Sequence, residues 1–281
     1  MTSIKQPYII TIASEKGGVG KTTLATNLAI YLRALQEDLP ITLFSFDNHF
    51  SVDRMLRIGN RDPNGSVGRM LAGEPVATLV ETGEFGIQFI PSSSDLNLVR
   101  DSFAQPSLLG SLLANGQLEG VVIIDTRPDL DELTRNALFL ADRIIIPVKD
   151  APSLENSRKI YDFLQQHDIP KQTASILPCL IDSRIHFQKG PFESTLDLLR
   201  AYAMHRGCHC FPTFISKSPK VESLNTNPDG RIYPVITHGR LTEVHGQLTE
   251  LATILMEEMA QTGKRRLDLW TSRGDSTVQQ G

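Results

Sequence analysis

The sequence predicts a single α/β domain in which a mostly parallel, twisted sheet is flanked by helices on both faces. Two observations predict this class. Short apolar runs alternate with longer segments of helical periodicity along most of the chain, which is typical of βαβ units. In addition, a glycine-rich loop with two lysines joins the first apolar run to the first helical segment. Functional residues are expected at the carboxyl ends of the strands beside that loop.

The predicted elements follow one another as βαβ units require. Strands are predicted at residues 8–13, 41–46, 87–91, 121–125, 143–148, 174–181 and 211–215. Helices are predicted at residues 21–36, 67–72, 131–140, 153–167, 193–205 and 241–260. In the last helix, apolar residues that include Leu241, Val244, Leu248 and Leu255 share one face. This helix is therefore expected to pack on the sheet.

One domain is expected to span residues 1–262. The stretch 60–85 is rich in Gly, Pro and Asn, and we interpret it as an elaborated connection within the domain. Residues 263–281 are polar and show no apolar period, so they are predicted to form a disordered tail.

The composition is that of an ordinary globular protein, with 40% hydrophobic and 21% charged residues in 281. Because the net charge is −4, any binding of nucleic acid must come from a local basic surface. Residues 1–7 carry no apolar signal region, and no apolar run approaches the roughly 20 residues of a membrane span. A cytoplasmic protein is expected.

The three cysteines do not form the pattern of a disulfide framework. Two of them, Cys208 and Cys210, flank His209 in a cluster that lacks the paired C-x₂-C spacing of structural zinc. A strand edge is favoured there over a metal site.

The most specific motif is the glycine-rich loop. It consists of Lys16, Gly17, Gly18, Val19, Gly20, Lys21, Thr22 and Thr23. Glycines let successive backbone N–H groups turn inward around phosphate oxygens, and the following helix points its positive end at them. In this pattern Lys21 reaches the β- and γ-phosphates and Thr22 ligates Mg²⁺. The loop therefore predicts a P-loop NTPase domain.

The loop departs from the common P-loop pattern at its start, because Glu15 stands where the first glycine is expected and Lys16 follows. Two lysines exceed the need of one nucleotide. Lys16 is therefore predicted to serve a different phosphate, across a dimer interface. The alternative is a glycine-rich turn with two solvated lysines.

Acidic residues follow two of the predicted strands. Asp125 ends an apolar run of the kind that precedes a Walker B aspartate, where it would hold the Mg²⁺ shell through water. Asp47 opens a polar loop and is a candidate for positioning the attacking water. For both residues, capping of a neighbouring element is the alternative.

With these residues assembled, the chain resembles the ParA/MinD family of deviant Walker A P-loop ATPases from about residue 7 to residue 260, most closely the ParA-type partition and cargo-positioning ATPases. The most specific match is the loop, in which Lys16 matches the signature lysine of the family. Further matches are Asp125-Thr126 with Pro128, Ala141-Asp142-Arg143 leading to Ile146-Pro147-Val148, and Asp182-Ser183-Arg184.

The resemblance implies a slow Mg²⁺-dependent ATPase that forms an ATP-sandwich homodimer. Lys21 would bind phosphates, and Thr22 and Asp125 would organise Mg²⁺. Asp47 would activate the hydrolytic water, and Lys16 would contact the nucleotide of the opposite subunit.

The resemblance also implies partners. The ATP dimer would bind double-stranded DNA without sequence preference through Arg184, Lys217 and Lys220, and would thus be associated with the nucleoid. A ParB-like protein or a cargo adaptor would stimulate hydrolysis. Surface charges with no partner are the alternative for these three residues.

Some positions depart from the family pattern. Ser45 replaces the first acid of switch I and His49 its glutamine, Arg127 replaces a proline, and Cys179 stands where a Thr or Asn that can face the base is common. These departures bear on turnover and base specificity rather than on binding of ATP.

Three other functions compete with this interpretation. A MinD-like membrane-cycling ATPase that regulates cell division or flagellar placement would need a basic amphipathic helix, whereas the last predicted helix has an acidic polar side; no stable membrane association is expected. A scaffold whose hydrolysis is incidental is compatible with the altered switch I. A reductase with an iron–sulfur cluster is disfavoured, because no cysteine lies just beyond Asp125.

Overall fold

A central sheet organises the computed structural model, which describes residues 6–47, 49–58, 66–94, 96, 103–263 and 265–268. The strands are β1 (Tyr8–Ile12), β2 (Ile41–Ser45), β3 (Glu81–Thr82), β4 (Gln88–Phe89), β5 (Val121–Asp125), β6 (Arg143–Val148), β7 (Ala174–Ile181), β8 (His209–Cys210) and β9 (Ile215–Ser216). Their order is β3-β4-β2-β5-β1-β6-β7-β8, and β9 pairs with β7. The pairs are parallel except for β3 with β4. The predicted fold class is confirmed.

Helices cover both faces of the sheet. They are α1 (Lys21–Leu35), α2 (Ser51–Leu56), α3 (Val67–Leu71), α4 (Leu108–Ala114), α5 (Glu132–Leu140), α6 (Ala151–Asn156), α7 (Arg158–Gln166), α8 (Thr195–His205), α9 (Pro219–Ser223), α10 (Val235–His238) and α11 (Glu243–Gln261). Alternate side chains of a strand point to opposite faces. Accordingly, Ile10 and Ile12 join an apolar cluster with α1 and α11, whereas Ile9 joins another cluster with α4 and α5.

Strands β1, β2 and β5 end level with one another. The register pairs Ile12 with Asp125 and Ser45 with Asp125. The residues that follow these three strands therefore meet at one edge of the sheet, which positions the candidate site.

The predicted helix at 153–167 is interrupted. It consists of α6 and α7, which are separated at Ser157. The Ser157 hydroxyl donates a hydrogen bond of 2.6 Å to the carbonyl oxygen of Leu154. A serine hydroxyl that bonds to a nearby carbonyl competes with the helical backbone pattern, and apolar periodicity does not reveal this competition.

Two other predicted boundaries were wrong. The strand expected at 211–215 is replaced by the short strands β8 and β9, because Pro212 has no N–H to donate to a sheet. The last helix begins at Glu243, and Leu241, which was expected on its buried face, is fully exposed in the preceding turn.

Residues 265–268, which composition assigns to the polar tail, contact the body of the domain. Leu267 is buried in the cluster that contains α4 and α5. The backbone N–H of Arg266 donates to Asp142 Oδ1 at 2.7 Å, and the Arg265 guanidinium lies 4.8 Å from the centre of the Tyr8 ring. Residues 269–281 of the predicted tail lie outside the described residues.

Candidate functional site

The glycine-rich loop connects β1 to α1 at the edge of the sheet where β1, β2 and β5 end. Gly18 and Gly20 adopt positive φ angles of 67° and 88°, a region that side chains other than glycine rarely enter. Gly20 occupies the cap position of α1 and has no side chain to bind the N–H groups of the first turn. Those N–H groups and the positive end of the helix are therefore available to an anion.

Lys21 is buried at the start of α1, and its ammonium group points back into the loop. The Nζ atom donates to the carbonyl oxygens of Ser14 at 3.2 Å and Lys16 at 3.4 Å. Burial lowers the pKa of Lys21, and the nearby carboxylates of Asp125 and Asp47 oppose that effect. The loop thus surrounds this cation with chain oxygens.

Asp125 is fully buried at the end of β5 and receives two hydroxyl hydrogen bonds. Thr22 Oγ1 and Ser45 Oγ both donate to Asp125 Oδ2 at 2.8 Å. Burial raises the pKa of Asp125 to about 6, although these hydrogen bonds and the charge of Lys21 act in the opposite direction.

The other carboxylate oxygen of Asp125 indicates what this arrangement can hold. Asp125 Oδ1 is buried and has no hydrogen-bond partner in the described part of the chain. A hydroxyl and a carboxylate are the hard oxygen donors that Mg²⁺ prefers, with water and phosphate oxygens completing its shell. Thr22 and Asp125 therefore fit a magnesium site.

Asp47 lies two residues beyond β2, beside the loop. Its backbone N–H donates to Ser45 Oγ at 3.0 Å, and its Oδ1 accepts from the backbone N–H of His49 at 3.2 Å. The exposed His49 ring lies 3.5 Å from the same carboxylate oxygen. Asp47 is partly exposed and so can reach a ligand on the loop.

Lys16 is bound to its own chain. Its Nζ lies 2.7 Å from Asp150 Oδ2. Asp150 also caps α6 by accepting from the backbone N–H of Ser153. Partial burial acts to raise the pKa of Asp150, but the hydrogen bonds from Lys16 and Ser153 prevail and lower it.

Two charged contacts of the loop were not anticipated from the sequence. Lys149 Nζ donates to the carbonyl oxygen of Gly18 at 3.2 Å, and Lys159 Nζ lies 2.8 Å from a carboxylate oxygen of Glu15. The position of Lys149 directly after β6 could have indicated its contact with the loop, because the carboxyl ends of parallel strands adjoin the loop. No sequence pattern indicates that Lys159 of α7 pairs with Glu15.

The residues predicted to contact DNA lie at the same edge of the sheet. Lys217 follows β9, and its backbone N–H donates to the carbonyl oxygen of Ile181 at 2.8 Å. Lys217 and Lys220 are exposed. Arg184 is exposed as well, but its guanidinium forms a two-pronged hydrogen bond with Asp182 at 2.8 and 2.7 Å. The DNA-binding role of these residues stays a prediction.

A small cavity of about 70 Å³ lies next to the loop, lined by Val19, Gly20 and Thr23 together with Cys179 and Leu180 of β7. Cys179 is buried, and burial raises the pKa of its thiol. Cys179 is the residue that stands, by the resemblance, where a Thr or Asn that can face the base is common.

Two further features of the described residues are relevant to function. Over these residues, no group of three or more His, Cys, Asp or Glu side chains is arranged to hold a metal ion. None of the helices in the same part of the chain is both long and apolar enough to cross a membrane.

The strand, glycine-rich loop and helix, with a buried aspartate at the end of the neighbouring strand, define the class of P-loop nucleoside-triphosphate-binding domains. The family model AAA_31, described as an AAA domain, matches residues 7–173 of the 281. The chain belongs to this family, and the ParA/MinD membership predicted from the loop is confirmed.

Sequence relatives include chromosome partitioning proteins. The chain is 34% identical to the chromosome partitioning protein ParA of Caulobacter vibrioides over 151 residues, which cover 50% of this chain and 55% of that protein. It is 35% identical to the chromosome-partitioning ATPase Soj of Thermus thermophilus over 141 residues, which cover 50% of this chain and 54% of that protein. The chain thus spans about half the length of the curated relatives it matches.

Solved structures share the fold over most of their length. Cobyrinic acid a,c-diamide synthase from Mycobacterium smegmatis, with bound ADP and magnesium, superposes with a TM-score of 0.69 at 20% identity over 92% of this chain and 98% of that one. The apo McdA structure from Cyanothece gives a TM-score of 0.67 at 17% identity over 89% and 100%. At such identities the likeness establishes the fold.

Proposed function

We propose that this protein is a Mg²⁺-dependent ATPase of the ParA type, which couples ATP-driven dimerisation to the segregation or positioning of DNA or another cargo. One observation carries the proposal. The glycine-rich loop, Lys21 and the Thr22–Asp125 pair converge at one sheet edge, where a buried carboxylate oxygen has no hydrogen-bond partner in the described chain. The partitioning relatives support the choice of cargo movement over other P-loop functions.

In this proposal each loop residue has a role toward ATP. The N–H groups at the start of α1 hold phosphate oxygens, and Lys21 exchanges its two carbonyl partners for oxygens of the β- and γ-phosphates. Thr22 and Asp125 hold the cation. Bound Mg²⁺ supplies neutralisation of the phosphate charge that builds up as the γ-phosphoryl group leaves.

Asp47 orients the attacking water in the proposed reaction and accepts its proton. Its carboxylate is partly exposed next to the loop, as a group that must meet water and phosphate requires. The neighbouring His49 has no assigned part in this chemistry.

Lys16 links the two protomers of the proposed ATP dimer. In the structure its Nζ lies 2.7 Å from Asp150 Oδ2. Closure of two protomers around two nucleotides would transfer each Lys16 from Asp150 to a phosphate of the opposite subunit.

The ATP dimer is proposed to bind double-stranded DNA non-specifically through Arg184, Lys217 and Lys220, which places it on the nucleoid in the cytoplasm. A ParB-like protein or a cargo adaptor stimulates hydrolysis and thereby releases the dimer from DNA. Because each contact neutralises a phosphate, binding is expected to weaken as salt increases.

The deciding experiment measures binding of the purified protein to random-sequence duplex DNA with ATP, ADP or no nucleotide, at two salt concentrations. Binding only with ATP, weakened by salt and lost in Lys21→Ala, supports the proposal. Lys171→Ala is a matched control, because this exposed lysine precedes β7 at the opposite edge of the sheet. Parallel samples with anionic liposomes test the MinD-like alternative, and ATP-dependent attachment to liposomes without DNA binding would refute the ParA-type function.

A further inference from the structure

Ser45 lies between the two acidic residues of the site. It is the last residue of β2 and is in register with Asp125 on the adjacent strand β5. Paired residues on neighbouring parallel strands project to the same face of the sheet. The Ser45 side chain is therefore beside the Asp125 carboxylate, and both residues are buried.

The Ser45 hydroxyl makes two hydrogen bonds of opposite sense. It donates to Asp125 Oδ2 at 2.8 Å and accepts from the backbone N–H of Asp47 at 3.0 Å. A serine hydroxyl has one proton and two lone pairs, so both bonds can exist at once. In this orientation, the proton that points to Asp125 leaves a lone pair facing Asp47.

We propose that Ser45 is a positioning residue that couples the cation-side carboxylate of Asp125 to the backbone of Asp47. The role of Asp47 in hydrolysis rests on the proposed function, whereas the coupling itself is a property of the free protein.

The coupling follows from the direction of the hydroxyl proton. Asp125 Oδ2 accepts the proton of Ser45, and a lone pair of Ser45 accepts the N–H of Asp47. Two bonds that share one hydroxyl reinforce each other, since each polarises the O–H group in favour of the other. Among the described residues, loss of the hydroxyl leaves Thr22 as the one side-chain donor to Asp125 and removes the acceptor of the Asp47 N–H.

The first test needs no nucleotide. Amide hydrogen exchange of Asp47 is measured in the free protein for the wild type and for Ser45→Thr and Ser45→Val. The side chains of Thr and Val have similar shape, but Thr has a hydroxyl group where Val has a second methyl group. Exchange is expected to be about tenfold faster in Ser45→Val and within about threefold of the wild type in Ser45→Thr.

A matched control removes a buried hydroxyl elsewhere. Ser175 is fully buried in β7, and its hydroxyl contacts His209 Nδ1 at 2.6 Å. Ser175→Ala should leave exchange of the Asp47 amide within about threefold of the wild type. Equal rates of Asp47 amide exchange in Ser45→Thr and Ser45→Val would overturn the coupling. An increase of that rate in Ser175→Ala as large as in Ser45→Val would also overturn it, because it would indicate that loss of any buried hydroxyl destabilises the whole domain.

The second test asks whether the coupling matters for turnover. Ser45→Val is expected to lower kcat for ATP about tenfold while the Kd for ATP stays within about threefold, and Ser45→Thr should restore most of kcat. An unchanged kcat in Ser45→Val would contradict a positioning role in hydrolysis. A higher Kd for ATP with kcat unchanged would contradict it as well. Absence of ATP hydrolysis in the wild type would instead refute the proposed function, while the exchange experiment would still decide the coupling.

Discussion

The Lys16–Asp150 ion pair should hold the free protein back from dimerising. Replacement of Asp150 by Asn removes the charge that binds Lys16 but keeps a side-chain oxygen able to cap α6, because Asn is as good a cap residue as Asp. If closure of the dimer transfers Lys16 to a phosphate of the opposite subunit, each protomer must first break this pair. Asp150→Asn should therefore tighten the ATP dimer.

The expected gain follows from the exposure of the pair. The side chains of Lys16 and Asp150 are 29% and 36% exposed, so their contact resembles a surface ion pair, worth about 0.5–1 kcal/mol. Two such pairs are broken per dimer. The variant should therefore stabilise the dimer by about 1–2 kcal/mol, which corresponds to a Kd about 5- to 30-fold lower.

Sedimentation velocity over a range of protein concentrations, with a non-hydrolysable ATP analogue and Mg²⁺, measures this Kd. Asp162→Asn is the control, because Asp162 forms an exposed pair with Arg158 at 3.8 Å on α7, and its loss should leave the Kd unchanged. An unchanged or weaker dimer in Asp150→Asn would refute the reasoning. A weaker dimer would mean that Asp150 acts within the closed dimer rather than against it.

Three further outcomes are expected. Burial raises the pKa of Asp142 to about 6, above its unfolded value of about 3.9, although backbone N–H groups of Ile9 and Arg266 donate to it. The folded state thus binds a proton more tightly than the unfolded state, so this contribution to stability is present below pH 4 and is lost as the pH rises through 6. The free energy of unfolding in urea is therefore measured for the wild type and for Asp142→Asn, and the wild-type value minus the variant value should fall by at most about 3 kcal/mol from pH 4 to pH 7. A difference that does not change with pH would contradict the shift. Asp47→Ala should lower ATP turnover at least about 100-fold while the ATP dimer persists in sedimentation, and unchanged turnover would exclude Asp47 as the water-activating residue. Lys217→Ala should weaken DNA binding equally for all sequences and reduce the slope of log K against log salt by about 1, whereas an unaltered slope would show that this lysine contacts no phosphate.

Much of the fold and part of the site could be predicted because they depend on local patterns. The strands β5, β6 and β7 have the predicted bounds, since each is a mostly apolar run that is largely buried in the sheet. The contact of Thr22 with Asp125 follows in the same way. The loop motif fixes Thr22 at the start of α1, and the strand motif fixes Asp125 at the end of β5.

Other long-range polar contacts could not be predicted, because they depend on which strands become neighbours. Ser45 stands 80 residues from Asp125 in the chain, and only the parallel pairing of β2 with β5 brings them together. The pair of Lys159 on α7 with Glu15 is of the same kind, because only the assembled fold makes these two residues neighbours. The acidic residues of α11 show the same limit. Three of them form internal contacts rather than a free acidic face, namely Glu243 with Ser216, Glu250 with Thr213 and Glu258 with Arg143.

Three of the lysines around the loop, namely Lys16, Lys21 and Lys149, have one arrangement in common. Lys21 donates to the carbonyl oxygens of Ser14 and Lys16. Lys149 donates to the carbonyl oxygen of Gly18, and the ammonium group of Lys16 pairs with the Asp150 carboxylate. Each ammonium group thus has an oxygen of its own chain as a partner. Under the proposed function, ATP binding and dimer closure exchange the partners of Lys21 and Lys16, so the net free energy of binding is smaller than the new contacts alone would give. ADP has no γ-phosphate to offer, and it would therefore compensate for fewer of the broken contacts than ATP does. These contacts within the chain would in this way make the proposed dimer depend on the third phosphate.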